Sequence, residues 1–312
     1  MNEIAQSAHG LNLTQGNAGR NLRPVRPFRF RSRLSHTSTT IAFIGFGEVG
    51  RRFSRDLMAR ESVGTRAYDV ILDDTARKSV IEDAARAIGV VACPTAREAC
   101  MGADIVISAV TADQTEVVAR QAKCYLAEGQ LYLDVNSASP ATKRRAAAHV
   151  EKAGARYVEG AVMAPVMKPG IKVPILAGGP AAHLAAERLN VLGMNLTPVA
   201  VEHGRASAIK LCRSIMIKGL EALIVDCARA SSHWGVETEV YGSLSETFPS
   251  IDWPALAINM AERVATHGLR RAAEMQEAGD MLAEMGFDPS LARAVADAQM
   301  RGANSLKKSG GG

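Results

Sequence analysis

Between residues 204 and 230 the chain is apolar almost all round, and the polar residues that interrupt it, Lys210, Arg213, Ser214, Lys218 and Glu221, fall at i, i+3, i+4, i+8 and i+11. On a helix these positions form one stripe. Cations along one face of an otherwise buried helix are costly unless that face borders a solvated cleft or meets anions. A cleft wall and an ion-paired face both satisfy this, and for Arg213 and Lys218 both readings stay open. A second constellation lies far upstream. Gly45, Phe46, Gly47, Glu48, Val49 and Gly50 follow an apolar run and precede a helical pattern, the context in which GxGxxG spacing binds a dinucleotide. Gly45 permits the tight turn, Gly47 lets the backbone approach a pyrophosphate, and Gly50 lets helix and strand pack closely. The new helix then offers unpaired N–H groups and a partial positive charge to the phosphates. Asp69 lies 19 residues after Gly50, where an acid accepts hydrogen bonds from the adenosine ribose and repels a 2′-phosphate, which favours NAD over NADP. Arg66 and Arg77 are near enough in sequence to keep NADP possible. The competing reading makes Gly45 to Gly50 a plain structural turn and Asp69 a helix cap.

These residues need a scaffold, and the chain supplies the pattern for one. Short apolar runs at 40–45, 66–70, 105–109, 131–134, 157–161, 173–178 and 196–202 alternate with helical patterns near 48–60, 75–88, 113–126, 140–153 and 181–190. That alternation predicts a parallel βαβ sheet with room for a final antiparallel piece. Val110 and Thr111, closing the third of these runs, are assigned to the cofactor. Beyond Gly204 no alternating strand pattern returns. The fold class is therefore α/β: a Rossmann-type parallel sheet domain over 39–203 and an all-helical C-terminal domain over 204–306, joined by a long interdomain helix at 204–230 expected to be buried. Asp288 and Pro289 read as an N-cap and first helical residue of a last helix. Residues 307–312 read as a flexible tail.

Composition narrows the function classes. At 312 residues with 47% hydrophobic and 22% charged residues, the chain has material for two sizeable cores. The formal charge of +5 is confined to residues 1–40, where Arg20, Arg23, Arg26, Arg29, Arg31 and Arg33 face Glu3 alone. The body is neutral, so a nucleic-acid partner is not expected. Residues 1–38 read as a disordered basic leader, a flexible tail in preference to an organelle transit peptide. No 18-residue apolar run occurs, so neither a membrane span nor a membrane partner is expected, and a cytoplasmic location is the default. Cys93, Cys100, Cys124, Cys212 and Cys227 contain no CxxC pair; buried free thiols are expected, and no metal. The helical half carries more apolar surface than one small domain buries, which predicts a homodimer.

Taken with these pieces, the chain resembles the β-hydroxyacid dehydrogenases, the group that contains 3-hydroxyisobutyrate and 6-phosphogluconate dehydrogenases. The resemblance covers about 39–230 and rests on the glycine turn, the YDV at 68–70, DVNSASP at 134–140, VEGAVMAP at 158–165 and GRASAIK ending in Lys210. The segment 204–300, with HGLRRAAEM at 267–275, is similar to a smaller branch of phosphogluconate-dehydrogenase-like NAD-binding proteins with a distinct helical C-terminal domain. The resemblance implies that Lys210 is catalytic and that Asn136 and Ser137 contact a small anionic substrate. It also implies an NAD(P)-dependent dehydrogenase acting on a CH–OH group. A lysine suits that chemistry when desolvation lowers its pKa, because it can then take the hydroxyl proton as hydride departs. The chain departs from the family at Met163, Ala164 and Pro165 and at Arg213 and Ser214, so the substrate pocket is rebuilt, with Met163 an apolar wall and Arg213 a grip for a carboxylate or phosphate. His267, Arg270 and Arg271 share a helical face and read as a surface cluster or as part of an anion site. His233 and Trp234 read as loop packing. An imine or carbonyl reductase on the same scaffold, and an NAD-binding sensor without turnover, remain open alternatives.

Overall fold

The computed structural model describes residues 38–309 apart from Glu61, with the backbone alone for 304–309. The expected leader lies outside the described residues but for Ser38. The first half is one eight-stranded sheet in the order β3-β2-β1-β4-β5-β6-β7-β8. Its strands are β1 (Thr39–Ile44), β2 (Val63–Tyr68), β3 (Val91–Ala92), β4 (Ile105–Ser108), β5 (Leu131–Asp134), β6 (Arg156–Val162), β7 (Pro174–Gly178) and β8 (Asn195–Ala200). All neighbours are parallel except β6 and β7, so the last two strands run against the rest. Strand order reverses between β1 and β4, which opens a crevice at the carboxyl ends of those strands.

Helices cover both faces: α1 (Glu48–Met58), α2 (Lys78–Arg86), α3 (Ala96–Cys100), α4 (Thr115–Arg120), α5 (Pro140–Lys152) and α6 (Ala182–Asn190). Because side chains alternate along a strand, Ile41, Phe43, Ile105 and Ile107 enter one core layer while Ala42, Ile44, Val106 and Tyr132 enter the other. The helix expected near 113–126 is broken into α4 and two flanking 3₁₀ turns. β3 and α3 were not foreseen; at two and five residues they are too short to show a period.

The second half contains α7 (Arg205–Trp234), α8 (Glu237–Thr247), α9 (Trp253–Glu284) and α10 (Ser290–Ser309). Their starts follow local chemistry: Asp252 accepts from the Ala255 N–H at the head of α9, and Asp288 accepts from the Ser290 N–H before α10. α10 continues past Leu306, where a tail was expected. The helical core joins Leu211 and Ala222 of α7 to Ala272, Met275, Ala278 and Met281 of α9 and Ala292 and Ala296 of α10.

Three expectations need correction. The interdomain helix is not buried all round within the subunit: its ionic face is the covered one, through Ser214, Lys218 and Glu221, while Met216, Leu220 and Leu223 are exposed. Charges on α9 satisfy the polar stripe and draw it inward, which turns the apolar residues out. His233 and Trp234 close the last turn of α7 before Gly235, whose φ of 66° ends the helix, and Trp234 is exposed rather than packed in a loop. Of the cysteines only Cys93 and Cys100 are buried; Cys124, Cys212 and Cys227 are exposed on helical surfaces.

Candidate active site

β1 delivers the chain to Gly45, whose φ of 93° is open to glycine and strained for other residues. A side chain there would strike the Ala109 carbonyl at the end of β4, and one at Gly50 would strike the Gly45 carbonyl. At Gly47, by contrast, nothing lies within 4 Å of where a Cβ would stand, so the turn gives close access to its backbone. Gly47 also starts α1 with no side-chain cap, and the helix N–H groups stay free for an anion. These features fit a dinucleotide pyrophosphate. Phe46 is fully buried and anchors the turn, while Glu48 and Val49 line the adjoining cavity.

Asp69 ends β2 with two duties. One carboxylate oxygen accepts from the Phe46 N–H at 2.7 Å and the other from the Ile71 N–H at 3.0 Å. The acid does cap a turn, as the competing reading held, and it also ties that turn to the glycine loop. Asp73 and Asp74 follow at once, with Asp73 accepting from the Tyr68 hydroxyl at 2.8 Å. Arg66 is turned away, donating to the carbonyls of Glu98 and Met101. Arg77 lies at the exposed start of α2.

Between sheet and helical half lies a cavity of about 650 Å³, whose walls include Val110, Thr111, Asn136, Ser137, Met163, Lys210, Arg213 and Ser214. The structure thus gathers every substrate-side residue singled out from the sequence, together with Val110 and Thr111. Lys210 Nζ donates to Ser137 Oγ at 3.0 Å across the divide. Desolvation, with lesser contributions from Lys143, Lys218 and Arg270 and opposed by Glu274, lowers the Lys210 pKa from 10.5 to about 8. Asn136 is buried; its side-chain oxygen accepts from the Val110 N–H at 2.7 Å and its amide donates to Ser108 Oγ at 3.0 Å. It therefore locks the ends of β4 and β5 together beside Ser137. Ser214 accepts from Lys218 Nζ at 3.0 Å, and Lys218 pairs with Glu274 at 2.8 Å.

Supporting residues that the sequence did not disclose hold this arrangement. On β6 the fully buried Glu159 accepts from the N–H groups of Gly204 at 2.6 Å and Ser207 at 2.5 Å. It supplies the cap that Gly204 lacks, and its negative charge meets the positive end of α7. Below the Ser137 loop, Lys143 pairs with Asp134 at 2.7 Å, fully buried, and Asp134 also accepts from the Tyr157 hydroxyl and the Asn136 N–H. An acid inside the apolar VEGAV run was the only local sign of Glu159. On α9, Arg271 is held by buried Glu221, and Arg270 stands 3.8 Å from Glu274; both line the cavity, whereas His267 does not.

Residues 40–179 match the NAD-binding domain of 6-phosphogluconate dehydrogenase, and residues 232–301 match a domain of unknown function, DUF1932. A conserved hypothetical protein from Sinorhizobium meliloti 1021 is 36% identical, with 88% of this chain and 92% of that chain covered and a TM-score of 0.76. The conserved protein MTH1747, described as structurally similar to 3-hydroxyacid dehydrogenases, is 30% identical over 86% of this chain and 98% of its own, with a TM-score of 0.70. The chain belongs to the β-hydroxyacid dehydrogenase superfamily. Within this superfamily of NAD(P)-dependent oxidoreductases it falls in the branch with the distinct helical second domain. The superfamily fold extends to Mycobacterium tuberculosis 3-hydroxyisobutyrate dehydrogenase, 20% identical over 85% of this chain and 94% of that one, with a TM-score of 0.69. Among the described residues no helix is long and apolar enough to cross a membrane.

Proposed function

We propose that the protein is a dehydrogenase of the CH–OH class, acting on a small anionic hydroxyacid with NAD in preference to NADP. The observation that carries this reading is Lys210 in hydrogen-bond contact with Ser137 inside the cavity, its ammonium poised to lose a proton near neutral pH. The bound nicotinamide would supply the hydride acceptor, or the donor in the reverse direction. Lys210 in its neutral form takes the hydroxyl proton during oxidation, and its ammonium returns it during reduction. Ser137 orients either Lys210 or the reacting oxygen, and Asn136 keeps the loop in place. Met163 and Val162 bound the pocket with apolar surface. The preference for NAD rests on Asp69, Asp73 and Asp74, three carboxylates in the segment where a 2′-phosphate would otherwise sit.

A panel of hydroxyacids and their keto and imine counterparts, followed at 340 nm, tests the assignment. NAD reduction by a hydroxyacid that falls by roughly 10²–10⁴-fold in Lys210→Met supports it. Turnover confined to imines would favour a reductase, and cofactor binding without turnover a sensor.

We further propose that the subunit works as a homodimer. α8 has no buried residue, and Met216, Leu220 and Leu223 of α7 and Ile258 of α9 are exposed. A second copy packing helix against helix would cover that apolar surface. Light scattering at micromolar concentration tests this, and a compact monomer counts against it.

A further inference from the structure

The helical wall of the cavity holds more cations than its acids can pair. Glu221 is shared by Arg271 and, at 3.0 Å, by Arg263. Glu274 holds Lys218 at 2.8 Å and leaves Arg270 at 3.8 Å, about half exposed. Arg213 is exposed, lines the same cavity and has no acidic partner among the described residues. Glu277, the remaining acid on that wall, is engaged by the Ser139 backbone, and burial pushes its pKa up. His267 registers the imbalance: desolvation, and then Arg270, Arg271 and Arg263, push its pKa down.

We propose that Arg213 and Arg270 form a second anion subsite, so that the substrate carries a further carboxylate or phosphate away from the reacting carbon. This deepens the hydroxyacid reading and rests on it for the identity of the reacting end. Arg213 follows Lys210 by three residues, which displaces its base along α7 by about 4.5 Å, slightly under one helical turn. The reacting group at Lys210 and the anion at Arg213 are thus neighbours along one wall rather than rivals for one point. Guanidinium groups present planar paired donors that match either anion. Where an acid stands close on this wall, as at Lys218 and Arg271, the cation is paired with it; Arg213 has none and Arg270 only the long 3.8 Å contact to a Glu274 already held by Lys218, so these two are the ones a ligand can engage. The cofactor phosphates have their own place at the Gly47 cradle.

The test uses the full chain saturated with NAD and titrated calorimetrically with succinate, phosphoglycolate and butyrate, none of which needs to react. Succinate or phosphoglycolate should bind about tenfold more tightly than butyrate, and the ratio between the two identifies the terminal group. Arg213→Gln and Arg270→Gln should each remove most of that preference. Arg120→Gln, which deletes an exposed charge outside the cavity, should leave it intact. Equal binding of succinate, phosphoglycolate and butyrate overturns the proposal. So does an equal loss in Arg120→Gln, which would indicate long-range charge, or weakened NAD binding in Arg213→Gln, which would assign the arginine to the cofactor. Lys210→Met separates this inference from the hydroxyacid reading: it should lower turnover by roughly 10²–10⁴-fold yet keep the preference for ligands with two anionic groups. A preference that persists in a protein that oxidises no hydroxyacid leaves the subsite standing and removes the assigned reaction.

Discussion

Replacing Lys210 with methionine should inactivate the protein and make it more stable at neutral pH. The Lys210 ammonium titrates in the folded cavity near pH 8 against an ordinary 10.5. At 1.36 kcal/mol per unit, that displacement is worth about 3 kcal/mol against the charged native state. Lys210 is only partly covered, and water in the cleft screens roughly half of this. The variant also gives up the hydrogen bond to Ser137, worth about 1 kcal/mol. The net expectation at pH 7 is a gain of roughly 0.5–1 kcal/mol, enough to move the midpoint of thermal unfolding upward by about 1–3 °C. Between pH 8 and 10.5 the unfolded chain binds the Lys210 proton and the folded chain does not, so wild-type stability rises with pH across that window. The methionine variant has no such rise, and its advantage should shrink and then reverse. Urea unfolding of both proteins at pH 7 and pH 10, at one protein concentration, measures the difference. A variant less stable than wild type at pH 7, or a gap that stays constant with pH, would refute desolvation as the cause of the depressed pKa.

Alcohol oxidation should rise about tenfold per pH unit below pH 8 and level off above it, with carbonyl reduction showing the opposite slope; a flat kcat/KM profile would deny Lys210 the proton. Asp69→Ser should weaken NAD binding and narrow the preference over NADP, as read by calorimetry with both cofactors, because the substitution loosens the Phe46 contact and removes a charge. Indifference to it would remove the basis for the preference. Glu159→Gln leaves one acceptor for two helix N–H groups, so we expect a loss of about 1–2 kcal/mol in urea unfolding. It should also lower kcat while NAD affinity holds. An unchanged kcat in a destabilised variant would limit Glu159 to a structural role.

The dinucleotide half was legible because its parts are local. The glycine spacing, the apolar strand before it and the acid at the end of the next strand lie within one βαβ unit, and each is fixed by backbone geometry. Lys210 and Ser137 were each visible as candidates, yet their contact spans 73 residues and belongs to the fold. Glu159 was hidden because its partners are backbone N–H groups 45 and 48 residues downstream, which leave no side-chain signature. The stripe on α7 was read as one face that borders a cleft or meets anions, and it does both, Lys210 and Arg213 lining the cavity while Lys218 and Glu221 meet charges on α9; what was not legible is that the apolar remainder of the helix is partly exposed. An apolar-rich helix suggests apolar burial, and only the presence of Glu274, Arg263 and Arg271 on α9 makes the ionic side the inner one. β3 and α3 escaped for want of length.

The strand order carries a consequence for how the chain is made. From β4 onward each new strand lies beside the one synthesised just before it, so after residue 108 the sheet can extend at one growing edge as the polypeptide emerges. Each late strand then closes only a modest loop, which keeps the entropic barrier to its addition low. Glu159 and the glycine turn are synthesised before α7, so that helix, which carries Lys210, docks on a sheet whose interior strand β6 already offers the acceptor for its first turn. The nucleotide cradle therefore precedes Lys210 in synthesis, and the lysine becomes a competent base only once α7 docks and the cavity desolvates it.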